Sequence, residues 1–463
     1  MKRTQTKFLF AFLLIAGLCA VLWAVEHYGG VPFSPQLMTI CRWAAVLAFC
    51  GYTFVCRSLT AWIMAGILIG AEIGYDWPNQ AANLQVLSRV FLRLIKTIIA
   101  PLIFSTLVVG IAGHSNLKQV GRMGVKALIY FELVTTIALF IGLGAINFSR
   151  AGVGVTPPAN TPQLPATQKQ TASDLIEHIF PENIAKSIAE GQVLQVVVFS
   201  IIFGIALALV VEKKRRPLLE VFESLSETMF KFTNIVMLFA PIGVAGAIAY
   251  TVGTMGLGIV VNLLKLVATL YAALVIFILC VFLPVALIAR LPIKRFLKAV
   301  TEPASIAFAT ASSEAALPRA MEAMEAFGVP RQVVAFVMPT GYSFNLDGST
   351  LYLALASIFV AQAAGIHFSF SQQLLMVFTL MLTSKGVAGV PRATLVILMG
   401  TADSFHLPVW PIFIILGVDQ LMDMARTSIN VVGNCLATAV IARWEGELGK
   451  EAPSPAVMDA MAQ

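Results

Sequence analysis

The stretch VDQLMDMARTSINVVGN, Val418 to Asn434, lies between WPIFIILG and CLATAVIARW, so three charged residues and two asparagines sit inside a run apolar enough to cross a bilayer. At about 100° per residue, Asp419, Asp423, Arg426, Thr427, Asn430 and Asn434 share an arc of roughly 100° on a helix, while Leu421, Met422, Met424 and Ile429 point elsewhere. Near the bilayer centre a charge costs ~2.5–3.5 kcal/mol, so three cost roughly 8–10 kcal/mol unless they pair or face water. Asp423 and Arg426, at i,i+3, can pair within the helix. That pairing accounts for one acid and leaves Asp419 and the rest of the face unexplained. A site for a small zwitterion with an extra carboxylate accounts for more. In that reading Arg426 grips the carboxylate bidentately, Asp423 holds the ammonium, and Thr427 and Asn430 add orienting hydrogen bonds.

The remainder of the chain is membrane-like. Of 463 residues, 58% are apolar and 12% charged, with a mean hydropathy of +0.86, a balance that excludes an ordinary soluble domain. Apolar runs of about 20 residues, enough for ~30 Å of hydrocarbon, fall at 8–26, 37–56, 59–76, 90–113, 126–148, 184–211, 228–250 and 257–290. With MKRTQTK in the cytoplasm, Arg57, KQVGRMGVK, EKKRRP and RLPIKRFLK all fall on the cytoplasmic side, and the Pro/Thr/Gln-rich segment 156–172 falls outside. The net charge of +7 therefore reads as topology, and no nucleic-acid partner is implied. Arg42, near the outer end of the second run, is an exception. The first run has the charged start and apolar core of a signal peptide, and removing it leaves the parity of the other crossings unchanged; the absence of a small-x-small cleavage site favours a retained helix. The six cysteines lie in apolar segments without metal-ligand spacing, which gives no disulfide framework. The five histidines fall at segment ends or in loops.

After residue 290 the pattern changes, and two regions follow one plan. Each has an apolar stretch interrupted by a Ser-led, Pro-ended tip, SSEAALP (Ser312 to Pro318) or SKGVAGVP (Ser384 to Pro391). Each then has an apolar helix broken by polar residues, FNLDGS (Phe344 to Ser349) or NVVGN (Asn430 to Asn434). Interrupted segments in matching positions of two repeats point to a transporter binding site, because a broken helix exposes N–H and C=O groups that hold anions and cations. Gly and Pro can also merely kink a packed helix, but the paired arrangement argues against that. In NLDG, Asn345 and Asp347 offer hard oxygens that suit Na+ or a proton.

Together and in this order, SSEAALP, PTGYSFNLDGSTLY, TSKGVAGVP and DMARTSINVVGN resemble the first hairpin tip, seventh helix, second hairpin tip and eighth helix of the dicarboxylate/amino acid:cation symporters, the family of the glutamate transporters. LIKTIIAPLIFSTLVVGIAG is similar to the family's second helix. The likeness is strongest to bacterial proton/glutamate symporters. It implies an all-α polytopic membrane protein with eight core transmembrane helices, two re-entrant helical hairpins and a homotrimer in which a transport domain slides against a scaffold. By that resemblance residues 57–446 are the core, with the scaffold mainly in 57–250 and the transport domain mainly in 126–149 and 257–446; 447–463 form a cytoplasmic tail. Residues 1–56, two further apolar helices, have no counterpart in the family core.

Carried over residue by residue, the resemblance implies a substrate site of Ser312, Ser313, Ser349, Val390, Asp423, Arg426, Thr427 and Asn430. It implies cation sites at Asn345, Asp347 and Asn434 and at the backbone of Gly341 and Asn430. Gly386 and Gly389 would let the second hairpin act as the outer gate. No prosthetic cofactor is implied; H+, Na+ or both are co-transported. Three departures bear on this. Many sodium-coupled members carry aspartate where this chain has Asn434, so one cation site lacks its anionic ligand. Glu314 in the first tip is either a proton carrier or a solvated acid. Arg392 and Thr394 replace residues that are usually glycine, which makes the gate bulkier.

The expectation is uptake of glutamate or aspartate across a bacterial plasma membrane, both termini in the cytoplasm. A C4-dicarboxylate lacks an ammonium and would set a like charge against Asp423, and a neutral amino acid would leave Arg426 without its carboxylate. A serine hydrolase built on Ser312 or Ser313 with His406 lacks any Gly-x-Ser-x-Gly context. A passive anion channel needs a continuous polar pore, whereas paired broken hairpins favour an occluded site.

Overall fold

The structure, a computed structural model, describes residues 2–29, 33–112, 119–155, 180–190, 193–256, 258–384 and 393–449. Among the described residues all regular structure is helical. The first half contains α1 (Lys2–Gly29), α2 (Pro35–Cys56), α3 (Leu59–Asp76), α4 (Gln85–Ala112), α5 (Gln119–Ser149), α6 (Val193–Leu209), α7 (Glu212–Met237) and α8 (Ala240–Met255). The second half contains α9 (Gly258–Phe277), α10 (Ile293–Thr310), α11 (Ser313–Phe327), α12 (Arg331–Phe344), α13 (Asp347–Ala363), α14 (Phe370–Thr383), α15 (Ala393–Ser404) and α16 (Trp410–Trp444). Among the described residues seven helical stretches are long and apolar enough to cross a membrane, beginning with Thr6–Glu26 and Pro35–Cys56. The chain is an all-α polytopic membrane protein.

Several expected runs differ in detail. The run at 184–211 contains a short helix, Ile184–Glu190, and α6, and residues 191–192 lie outside the described residues. The run at 228–250 is interrupted at Leu238 and Phe239, because Pro241 has no N–H to continue the hydrogen-bond ladder. The run at 257–290 continues from α9 through a π-helical segment, Ile278–Phe282, into Leu283–Ile288; there Pro284 removes a donor and the turn before it widens. FNLDGS is a true break, at Asn345 and Leu346 between α12 and α13. NVVGN is not: α16 runs unbroken for 35 residues. Its asparagine side chains bond to other helices instead of competing for their own backbone.

Contacts divide the chain into two compact units. The first comprises Met1–Leu94, Ile235–Val261 and Phe413–Gln420. Within it α3 and α8 touch backbone to backbone, since a side chain at Gly70 or Gly74 would strike the carbonyl of Ala245 or Ala249. Small residues four apart make the close approach that drives helix pairing in lipid. The exception to the charge rule, Arg42, is explained within this unit: Nε lies 2.7 Å from Glu72 Oε2 and Nη2 lies 2.5 Å from Asp76 Oδ1, both on α3. Trp43 Nε1 donates to the other Asp76 oxygen at 2.8 Å. Arg42 thus joins the N-terminal pair to α3 through two acids.

The second unit comprises Ile95–Asn234, Asn262–Ile412 and Leu421–Gln463. Its centre is α13, in which 16 of 17 residues are buried. A helix apolar and small all round belongs in a core. α5 lies along it, and Gln362 Nε2 donates to Ile146 O at 3.3 Å. Phe104, Phe199, Phe203 and Phe222 pack ring against ring between α4, α6 and α7.

Candidate functional site

The polar face of α16 resolves into two groups of contacts, both against the break between α12 and α13. In the first, Arg426 is fully buried, and its Nε lies 2.9 Å from Asp423 Oδ1. Thr427 Oγ1 donates to the same oxygen at 3.2 Å. The guanidinium stacks on Tyr352, its Cζ 4.1 Å from the ring centroid. α16 reaches this depth because α13 offers no side chain in its way: a Cβ at Gly348 would run into the Arg426 carbonyl and approach Arg426 Cα to 2.9 Å.

One turn further along α16, Asn430 and Ser349 exchange two hydrogen bonds. Asn430 Nδ2 donates to Ser349 Oγ at 2.9 Å, and Ser349 N donates to Asn430 Oδ1 at 3.1 Å. Ser349 lies in the first turn of α13, where backbone N–H groups have no partner within the helix, so Asn430 caps the broken helix from outside.

The second group surrounds Asp347, which is fully buried. Asn345 Nδ2 donates to Asp347 Oδ2 at 3.2 Å and to Asn434 Oδ1 at 3.3 Å. The Asp347 carboxylate sits against Gly433, where any side chain would displace it, and Asn434 Oδ1 sits over Gly341 in the same way. The Gly341 carbonyl accepts from Asn345 N at 2.8 Å. Asn345 Oδ1 and Asn434 Nδ2 are buried without a hydrogen-bond partner among the described residues. One carboxylate and neutral amide or carbonyl oxygens form a hard, singly charged donor set of the kind that takes a monovalent cation or a proton. Among the described residues no cluster of His, Cys, Asp and Glu has the make-up of a transition-metal site.

At SSEAALP the chain turns between α10 and α11. Ala311 turns left-handed after α10, and Ser312 caps α11 by accepting from Ala315 N at 3.3 Å. Ser313, the first residue of α11, is 2% exposed. Neither serine hydrogen-bonds to α16 among the described residues, although Ser428 on α16 donates to Ala304 O on α10 at 3.0 Å. The Glu314 side chain, and Gly386, Gly389, Val390 and Arg392, lie outside the described residues; Thr394 is buried on α15. Asp419 is also buried, one turn before Asp423, on the part of α16 that belongs to the first unit.

Tyr352, Gly348 and Gly433 also touch these side chains, contacts that the motif reading did not assign. The signal for Tyr352 was in the spacing, since Ser349 and Tyr352 stand at i,i+3 on one face of α13. The glycines are legible only once two helices are known to touch.

A buried arginine, a buried aspartate and a broken helix closed by side chains from its neighbour are features of membrane transporters. Residues 59–444 match the model of the sodium:dicarboxylate symporter family, and the chain belongs to that family. It is 43% identical over 401 residues to the proton/sodium-glutamate symport protein of Bacillus caldotenax, covering 84% of this chain and 94% of that one. It is 42% identical over 405 residues to the proton/glutamate-aspartate symporter of Escherichia coli (strain K12), covering 84% and 92%. It is 41% identical over 397 residues to the C4-dicarboxylate transport protein of Cupriavidus necator, again covering 84% and 92%.

Proposed function

We propose that the chain is a secondary active symporter that takes up acidic amino acids, glutamate or aspartate, with H+ and/or Na+ as the coupled ion. The observation that carries the reading is the buried pair of Asp423 and Arg426. A desolvated ion pair gives up its internal contact at least cost to a ligand that supplies both opposite charges. An acidic amino acid does so, its side-chain carboxylate going to Arg426 and its ammonium to Asp423. Ser349, Thr427 and Asn430 orient it, with Ser312, Ser313 and Val390 closing the site from the two hairpin tips. The cation takes the oxygens of Asn345, Asp347 and Asn434 and the carbonyls of Gly341 and Asn430, or a proton rides on Asp347 or Glu314. Gly386 and Gly389 supply the hinge of the outer gate.

The second reading is a C4-dicarboxylate symporter, favoured by the name of the Cupriavidus necator relative. In it Arg426 serves one carboxylate and Asp423 must be protonated or turned away. In either reading the transport domain, mainly 126–149 and 257–446, slides against the scaffold of a homotrimer in the bacterial plasma membrane, with both termini in the cytoplasm. The deciding measurement is uptake of labelled glutamate, aspartate and succinate into proteoliposomes, under imposed H+ and Na+ gradients separately. Uptake of succinate without either amino acid overturns the role given to Asp423.

A further inference from the structure

The second unit also holds a cavity of about 470 Å³, bounded by the turns that follow α5 and α13. Gln362, in its wall, stands on the same helix as Ser349 but ~20 Å further along at 1.5 Å per residue, so this cavity is separate from the Asp423–Arg426 pair. Its size is that of a small-molecule site.

The wall is an amide frame that satisfies itself. Asn147 Nδ2 donates to Leu143 O at 2.9 Å and to Gln373 Oε1 at 2.7 Å, which uses both of its protons. Gln373 Nε2 donates to Phe368 O at 3.1 Å. Gln362 Oε1 accepts from Gly152 N at 3.1 Å while its Nε2 holds Ile146 O. These groups fix the shape of the cavity. Two cation-capable side chains remain. Arg150 and His367 both line it, both are exposed, and neither has a side-chain hydrogen bond or ion pair among the described residues. Among the described residues no carboxylate lines the cavity. Arg150 holds the left-handed conformation (φ +50°) after α5, as Arg57 does after α2. A cation near a helix C-terminus gains from the dipole, which favours Arg150 there, and its five N–H donors meet no side-chain acceptor among the described residues.

We propose that this cavity binds a phosphate group between the Arg150 guanidinium and the His367 imidazole. The guanidinium fork takes two oxygens, which exhausts a carboxylate; a phosphate has a further oxygen for the imidazole N–H. The phosphate is either free in solution or part of a lipid headgroup, and the chemistry of recognition is the same for both.

The test uses the full chain purified in a neutral, phosphate-free detergent and stripped of lipid. Inorganic phosphate binding is measured by calorimetry, and the unfolding temperature is compared with and without added phosphatidylglycerol. A free-anion site shows phosphate binding that weakens at least tenfold in both Arg150→Gln and His367→Gln. A headgroup site shows a phosphatidylglycerol-dependent rise in unfolding temperature that both variants lose, without phosphate binding. No response to either probe, or a response that both variants retain, overturns the proposal. Arg150→Gln is checked for folding by its elution profile, and His367→Gln, on an exposed turn, carries the test by itself if Arg150→Gln misfolds.

Discussion

Arg426 Nε lies 2.9 Å from Asp423 Oδ1 with both side chains at 5% exposure or less, so the two groups proposed to read the ends of the substrate hold each other. Removing one partner of a buried pair costs ~3–5 kcal/mol, because the other charge is left desolvated. Asp423→Asn is therefore expected to lower kcat/KM for glutamate and aspartate by at least about 100-fold, since ~1.4 kcal/mol is tenfold. Residual succinate uptake should fall far less, because succinate has no ammonium to lose. Uptake assays in proteoliposomes check this, and equal losses for both substrates mean that Asp423 is structural.

Tyr352 holds the guanidinium by its ring face. Cation–π contacts between desolvated groups are worth ~2 kcal/mol, which sets the expected loss in Tyr352→Leu at about 10- to 30-fold in apparent glutamate affinity. Tyr352→Phe keeps the ring and should stay within about threefold of the parent. A large loss in the Phe variant as well would show that the hydroxyl, not the ring face, matters.

The oxygen set around Asp347 carries one formal charge because position 434 is asparagine. Asn434→Asp puts a second carboxylate within reach of Asn345 and is expected to lower the half-saturating Na+ concentration for uptake at least tenfold, as added anionic ligands tighten hard-cation sites. Gly433→Ala acts in the opposite direction, since its methyl occupies the place of the Asp347 carboxylate, and cation-driven uptake should be lost. Initial rates against Na+ and against imposed pH gradients test both. An Asn434→Asp chain with unchanged Na+ dependence removes Asn434 from the cation site.

The division between what was legible in the sequence and what was not follows the range of the interactions. The polar arc of α16 could be read from local spacing, because helix geometry alone puts Asp423 and Arg426 at i,i+3. The break at Asn345 and Leu346 was legible for the same reason. NVVGN resembled the break in composition, yet its asparagines find partners more than 80 residues away in Ser349 and Asn345, and a chain with distant partners has no need to leave the helix. The glycine contacts of Gly348 and Gly433 are likewise properties of two helices at once, and no single-helix pattern contains them.

Arg42 is expected to be the residue that keeps α1 and α2 attached to α3. It meets Glu72 and Asp76 and lies 4.7 Å from the Tyr75 ring centroid. Arg42→Ala leaves two part-buried acids facing one another, and like charges at close range repel. The purified variant should unfold several degrees lower than the parent, and Arg42→Ala combined with Glu72→Gln should recover part of the loss. No recovery in the double variant would place the effect of Arg42 in packing alone.

The end of α16 carries an ion cluster just outside the span. Glu445 sits between Lys126, whose Nζ is 2.6 Å from Oε1, and Arg122, whose Nε donates to Oε2 at 3.1 Å. The hydrogen bond from Lys126, reinforced by Arg122, holds the Glu445 carboxyl below the usual carboxylate range. A carboxyl whose folded value is depressed contributes stability that is fully present above its unfolded value, ~4.3 for glutamate, and is lost as pH falls through that range to the folded value. The unfolding temperature in detergent should therefore decline between about pH 5 and pH 3, and Glu445→Gln should flatten that decline while leaving the curve lower at pH 7. Lys126→Met should reproduce the effect from the other side of the contact. Superimposable pH curves for the parent and Glu445→Gln would show that α5 and α16 are held together without this ion pair.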